Sequence, residues 1–404
     1  IPGKFREGME KIAEFKVWLG WRNLYCGLLK TVYNGVTFYF LDNEYYFKRD
    51  AIYGQFDDGE RFGYFSMAVL EAIKHMDFDP EVIHCHDWQT GLIPAFIKIF
   101  FADEEKISRI KTVYSIHNIQ YQGKFGNEVI EDLLGIGQEH LGLLEFDGCI
   151  NFMKGAIECA NKVTTVSQSY ADEILDPWYS HGLDTILKER SFKLRGILNG
   201  IDIENYNPET DKDIFKNYSA EKMTGKATNK RELQKFFGLP EKKDTPVMGM
   251  VTRLVGHKGL DLVKGILDEL LATSEMQLVV LGSGDYEYES FFRDIAAKYP
   301  DKVGLRIGFI PDLARKIYAG ADMFLMPSVS EPCGLSQMIA SRYGSVPLVR
   351  RTGGLADSIV DFTVKGNGYT FDNVDANEMY TVLHSFLHCT IFWAGCQCRK
   401  AKSI

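Results

Sequence analysis

No apolar run in this chain approaches the roughly 20 residues that a bilayer-spanning helix requires. Its opening, IPGKFREGMEK, also lacks the apolar stretch of a secretory signal. Short-period repeats and low-complexity tracts are absent, which excludes a repeat array or a disordered scaffold. There is no excess of basic residues either: 46 Lys and Arg stand against 55 Asp and Glu, for a net charge of −9. That balance argues against nucleic acid or an anionic membrane as the main partner, while leaving room for a local basic pocket. The eight cysteines are few for the length and irregularly spaced, and they read as reduced thiols rather than a disulfide framework. Cys396 and Cys398, with Cys389 nearby, make only a CxC cluster near the end, which is thin support for a metal. A cytoplasmic enzyme is the expectation these absences leave.

What is present is a soluble globular composition, 45% hydrophobic and 25% charged, over 404 residues, enough for two domains. After an aromatic-rich start (VTFYFLDNEYYF) and a helical stretch (FGYFSMAVLEAIKHM), short β-branched runs alternate with helical segments: EVIHCHDW, KTVYSIHN and KVTTVS as strands, QTGLIPAFIKIFF as a helix. Such alternation predicts an α/β fold with parallel sheets, whose ligands sit at the carboxyl ends of the strands. His86, Asp87, His117 and Ser167 fall at that edge. GILNGIDIENYNPETD, rich in Asn, Asp, Gly and Pro, and the charged segment after it read as a hinge and connector. Asn199 and Gly200 there would line the cleft. A second series follows, PVMGMVTRL, QLVVLGSGD, VGLRIGF, MFLMPSVSEP and SVPLVRRTGG. The predicted domains are 1–202 and 203–380, two α/β halves with strand edges facing a common cleft, and residues 381–404 stay unassigned.

The run from Ser328 to Ile359 carries the most chemistry. It twice sets a glycine-containing turn before a helix-like segment, and exposed amides at such turns suit a diphosphate flanked by Arg350 and Arg351. Gly334 and Leu335 at the first turn, and Thr352, Gly353 and Gly354 at the second, are the expected phosphate contacts. Glu331, a carboxylate that phosphates would repel, suits the hydroxyls of a neutral group such as a sugar. Arg253 and Lys258 in VTRLVGHKGL follow a strand and could neutralise a departing diphosphate; the plainer reading is two surface cations. Gly282 to Asp285 form a short glycine pair, either a plain strand-to-helix turn or a nucleotide-facing one. Strand alternation sends His84 and His86 to one face, a pair that could begin a metal site but has no third ligand in view. Cys333, at the start of a helix-like segment where a thiol's pKa can fall, is not read as a nucleophile. Trp88 is either a platform for a sugar ring or a core aromatic.

Several ordered motifs together carry a family: YYFKRDAIYG with DDGERFGYFS, HCHDWQTGL, SIHNIQYQGKF, NFMKGAIECANKVTTVS, GILNGIDIENYNPETD, VTRLVGHKGLDL, GADMFLMPSVSEPCGL and RRTGGLADSI. On these residues, from about Ile1 to Tyr380, the chain resembles the bacterial glycogen synthases and plant starch synthases. The resemblance implies a GT-B fold of two Rossmann-like domains and transfer of glucose from ADP-glucose to an α-1,4-glucan with retention of configuration. It implies no cofactor and no metal. It also implies that His117 contacts the transferred glucose, that Asp87 and Trp88 meet sugar near the acceptor, that Cys333 and Asn199 line the donor pocket, and that Phe309 stands where a tyrosine often stacks on adenine.

The sequence departs from the family pattern in places. A lysine-and-glycine loop of the KTGGL type, which contacts donor phosphates in the family, and a closing helix beyond Tyr380 are not recognisable. Their absence predicts a chain that binds ADP weakly and transfers little glucose, with a glucan- or nucleotide-binding remnant as the alternative to an active transferase. Val329 and Ser330 replace a common Arg-Phe pair, and His257 stands where Gln is common.

Overall fold

The computed structural model describes residue 6 and residues 8–388, so the expectations for Cys389, Cys396 and Cys398 lie outside the described residues. The chain divides into two compact units: one runs to Thr165 and adds Ala171–Gly196, the other takes Val166–Tyr170 and everything from Ile197.

The first unit opens on an antiparallel sheet, β1 (Glu10–Leu19), β2 (Arg22–Tyr33) and β3 (Val36–Asp42). The helix Asp58–Ile73 packs beside it, burying Phe62, Leu70 and Ile73 at helical spacing. A parallel sheet follows, built from β4 (Val82–His86), β5 (Lys111–Ile116), β9 (Lys162–Thr165) and β10 (Leu194–Gly196) in the order β10-β9-β5-β4. Between β5 and β9 lie three short strands, β6 (Lys124–Phe125), β7 (Glu145–Phe146) and β8 (Cys149–Asn151), in a small antiparallel sheet.

The second unit is one parallel sheet of six strands: β11 (Val247–Val251), β12 (Gln277–Gly282), β13 (Val303–Ile307), β14 (Met323–Met326), β15 (Val346–Arg350) and β16 (Tyr369–Phe371). VMGMV, QLVVLG and MFLM are nearly continuous buried runs, as strands covered on both faces by helices must be. The order β13-β12-β11-β14-β15-β16 is the doubly wound arrangement that reverses direction between β11 and β14. Loops leaving the carboxyl ends of those two strands therefore diverge around a crevice, and everything assigned to Arg253, Lys258 and Glu331 lies on them.

Two sequence readings change here. The polar segment after the hinge is not merely a connector, because its helix Thr224–Phe236 packs on the helix Pro311–Gly320 and sends the buried Lys226 Nζ to the carbonyls of Ala319, Ala321 and Tyr343. And residues 381–388, left unassigned, continue the helix Ala376–His388, whose Met379, Leu383 and Phe386 recur at helical spacing into the core.

Candidate active site

In the second unit the loop after β11 makes one short helical turn, Gly256–Lys258, and leaves it through Gly259 at φ 73°. A side chain there would meet the Pro327 carbonyl at 1.9 Å, so only glycine lets the β11 and β14 loops touch. Val329 N–H donates to the His257 carbonyl at 2.9 Å and laces the same loops again. Held this way, Lys258 Nζ lies 2.7 Å from Glu331 Oε2, which also accepts from Ser328 Oγ at 3.0 Å. Glu331 is buried and Arg253 exposed. His257 precedes Lys258 on this loop, and its Nε2 lies 3.4 Å from Arg253 Nη2. Burial, then the charges of Lys258 and Arg253, depress its pKa and keep it neutral.

The glycines of the second turn do something the sequence did not suggest. A Cβ on Gly353 would stand 2.1 Å from the Glu331 carbonyl, and one on Gly354 2.2 Å from the Cys333 carbonyl. Gly354 N–H is already donated to the carbonyls of Glu331 and Pro332. Thr352, Gly353 and Gly354 are buried, and besides any contact with phosphate the two glycines seat the Glu331 loop. Arg350 is corrected too: it is buried, and its guanidinium donates to the backbone carbonyls of Ser328, Val329 and Asp372. Arg351 is exposed and pairs with Asp372. Ser167, expected at a ligand-facing edge, is buried and donates to the Pro332 carbonyl at 2.6 Å.

A cavity of about 390 Å³ opens beside these loops, lined by Arg253, Ser283, Gly308, Phe309, Leu335 and Ser336 among others. Phe309 is 91% exposed at its rim. Leu335 is exposed as well, whereas Thr352, Gly353 and Gly354 at the second turn are buried. Gly282 and Ser283 line the cavity, yet Gly282 and Gly284 also pack against the carbonyls of Thr252 and Leu254, so the glycine pair serves as a close turn and a wall at once. Cys333 is buried, its thiol hydrogen-bonded by the Asn199 backbone amide, and burial raises its pKa. That is the opposite of an activated thiol. Sequence reasoning missed Tyr206 and Arg315, which line the cavity with the guanidinium stacked 4.6 Å over the ring. Tyr206 lay inside the segment read as a hinge, and only its aromatic character among turn residues signalled it.

In the first unit, Asp87 takes φ 56° and ψ −177°, a conformation costly for any residue but glycine. It persists because both its ends are tied: its N–H donates to the Ser115 carbonyl, and its Oδ1 accepts from His117 N–H at 2.8 Å. His86 Nδ1 meets His117 Nε2 at 2.9 Å, and His84 Nε2 meets Ser115 Oγ at 2.7 Å. Among the described residues these three histidines do not form a group able to hold a metal, and no other His, Cys, Asp or Glu completes one. Trp88 is packed against the core on one side and faces a cavity on the other. Its ring packs edge-on to Phe62 at 4.9 Å, and it lines a cavity of about 480 Å³ with Gln55, Tyr121, Lys124 and His181.

Comparison with known proteins gives a consistent picture. Residues 2–189 match the starch synthase catalytic domain and residues 231–396 the glycosyl transferases group 1. The chain is 51% identical over 388 residues to a glycogen synthase of Desulforamulus reducens, covering 95% of this chain and 81% of that protein. To a glycogen synthase of Bacillus cereus it is 50% identical over 401 residues, covering 97% and 84%. The catalytic domain of starch synthase IV from Arabidopsis thaliana, solved bound to ADP and acarbose, superposes with a TM-score of 0.88 at 32% identity, covering 98% of this chain and 84% of that one. A sucrose-phosphate synthase from Thermosynechococcus elongatus, at TM-score 0.54 and 17% identity over 85% and 72%, shares the fold alone.

Proposed function

The chain belongs to the glycogen and starch synthase family of GT-B glucosyltransferases, and from that premise we propose that it moves glucose from ADP-glucose to the nonreducing end of an α-1,4-glucan with retention at the anomeric carbon. The observation that carries the residue assignments is the meeting of Lys258, Arg253 and Glu331 at the strand-order reversal, beside a cavity with an exposed aromatic rim. In this reading Phe309 stacks on the base, and Arg253, Lys258 and the amides of Gly334 and Leu335 take the diphosphate. Glu331 holds hydroxyls of the glucose. Cys333 and Asn199 form pocket wall.

The acceptor hydroxyl attacks the anomeric carbon from the face that ADP leaves. The bond from that carbon to the diphosphate oxygen breaks, and the hydroxyl proton passes to the departing phosphate. Two fixed cations stabilise the charge that develops there, so the reading needs no divalent metal and no organic cofactor. In the first unit His117 is the group for the transferred sugar, and Asp87 and Trp88 serve the glucan. The compartment is the cytoplasm.

The experiment is glucan elongation from radiolabelled ADP-glucose, run beside UDP-glucose and with and without a chelator. Label entering glycogen from ADP-glucose in chelator is the expected result. Transfer from UDP-glucose alone, or transfer abolished by chelator and restored by a divalent metal, would overturn the donor or the metal-free reading.

A further inference from the structure

The two oxygens of the Glu331 carboxylate are not equivalent. Oε2 accepts from both Lys258 Nζ, at 2.7 Å, and Ser328 Oγ, at 3.0 Å, whereas Oε1 takes no partner among the described residues. Ser328 is itself 1% exposed, and its own place is fixed from behind. Arg350 donates to the Ser328 carbonyl at 2.9 Å and to the Val329 carbonyl at 2.6 Å, and a third bond at 2.9 Å to the Asp372 carbonyl anchors that guanidinium to the segment after β16. A strand-end arginine has thus been turned inward to hold the backbone of Ser328 and Val329, and Ser328 holds one carboxylate oxygen.

A carboxylate gripped by a single flexible donor rotates about its last bond and exchanges its oxygens. Two donors on one oxygen stop that rotation. Lys258, however, is the donor that an incoming diphosphate attracts, and once it is drawn away only Ser328 keeps the carboxylate in register. We propose that Ser328 is a positioning residue for Glu331, fixing the carboxylate so that Oε1 faces the hydroxyls of the bound sugar when Lys258 is engaged elsewhere. The inference rests on the reading of Glu331 as the sugar-holding group.

The test measures calorimetric affinity for ADP-glucose and for ADP separately, because their ratio isolates the sugar contact from the nucleotide. Four proteins are compared: the unmodified chain, Glu331→Ala, Ser328→Ala and the double variant. Ser328→Cys is added because it fills the same space with a much weaker donor. Ser328→Ala and Ser328→Cys should both lower the ratio about ten-fold, the factor for one lost hydrogen bond to a charged group, with ADP affinity unchanged and the fold intact though lower-melting for want of the same buried bond. The double variant should match Glu331→Ala alone, since a residue acting through Glu331 has nothing left to act on. A Ser328→Ala ratio equal to that of the unmodified chain, a Ser328→Cys variant with the full ratio, or a double variant whose losses add would each overturn the proposal. Failure of the parent reading looks different: Glu331→Ala itself would then leave the ratio unmoved.

Discussion

Lys258 Nζ and Glu331 Oε2 stand 2.7 Å apart with both side chains largely withdrawn from water. The two groups assigned to opposite ends of the donor, phosphate and sugar, thus neutralise one another until a donor arrives. Binding has to exchange that ion pair for two new partners, and removing either member changes more than its own contact. Glu331→Ala should lower glucose transfer by orders of magnitude while ADP binds at least as tightly as before, because Lys258 no longer has to leave a carboxylate. Calorimetry with ADP and an elongation assay give both quantities. ADP affinity falling in step with turnover would contradict the assignment.

The two cations separate by a stability measurement. Lys258→Ala and Arg253→Ala should each cost about 3 kcal/mol of transition-state stabilisation, the size of one lost oxyanion donor. Lys258→Ala also strands a buried carboxylate, which should destabilise the fold by on the order of 3 kcal/mol. Arg253 is exposed and anchors no buried charge, so its removal should leave the melting temperature where it was. Equal melting temperatures for the two variants would show that the Lys258–Glu331 pair adds nothing to the folded state.

Gly353→Ala tests whether the second turn seats the Glu331 loop. Gly353 has φ 43°, and an added Cβ would stand 2.1 Å from the Glu331 carbonyl, so the loop must retreat. The expected cost is on the order of 3 kcal/mol in denaturant unfolding, from backbone strain and overpacking together, along with a loss of transfer. Normal stability combined with weakened ADP binding would instead restore the direct phosphate contact.

Much of this was legible in the residues. Continuous apolar runs such as QLVVLG and MFLM fix buried parallel strands, and their alternation with helices fixes the fold class, so Arg253, Lys258 and Glu331 could be set at strand ends. What was not legible depends on direction and on distant partners. Arg350 and Arg351 are neighbours in sequence, but alternation along a strand sends successive side chains to opposite sides, and only the burial of one tells which. A glycine that lets two backbones meet reads the same in sequence as one that admits a phosphate. That Gly353 and Gly354 pack on the Glu331 and Cys333 backbone could be seen only once those carbonyls stood against them. Ser328 was visible as the first residue of the informative run, yet its bond to Glu331 depends on a turn geometry that spacing alone leaves open.

His257 gives the site an acid limit. Burial, then Lys258 and Arg253, hold its folded pKa below the usual histidine value, and its neutral ring lies 3.4 Å from the Arg253 guanidinium. A depressed histidine binds its proton more readily in the unfolded chain. Its contribution to stability is therefore complete above about pH 6.5, the unperturbed value, and is lost as pH falls through the folded pKa. Protonation would also set a positive charge beside the Arg253 guanidinium and push Arg253 from its place. Melting temperature and transfer rate should thus both decline below about pH 6.5, and His257→Gln, the residue common in the family, should flatten that part of both profiles while matching the unmodified chain near pH 8. Parallel acid limbs in the two proteins would assign the decline to other groups and leave His257 as a neutral neighbour of Arg253.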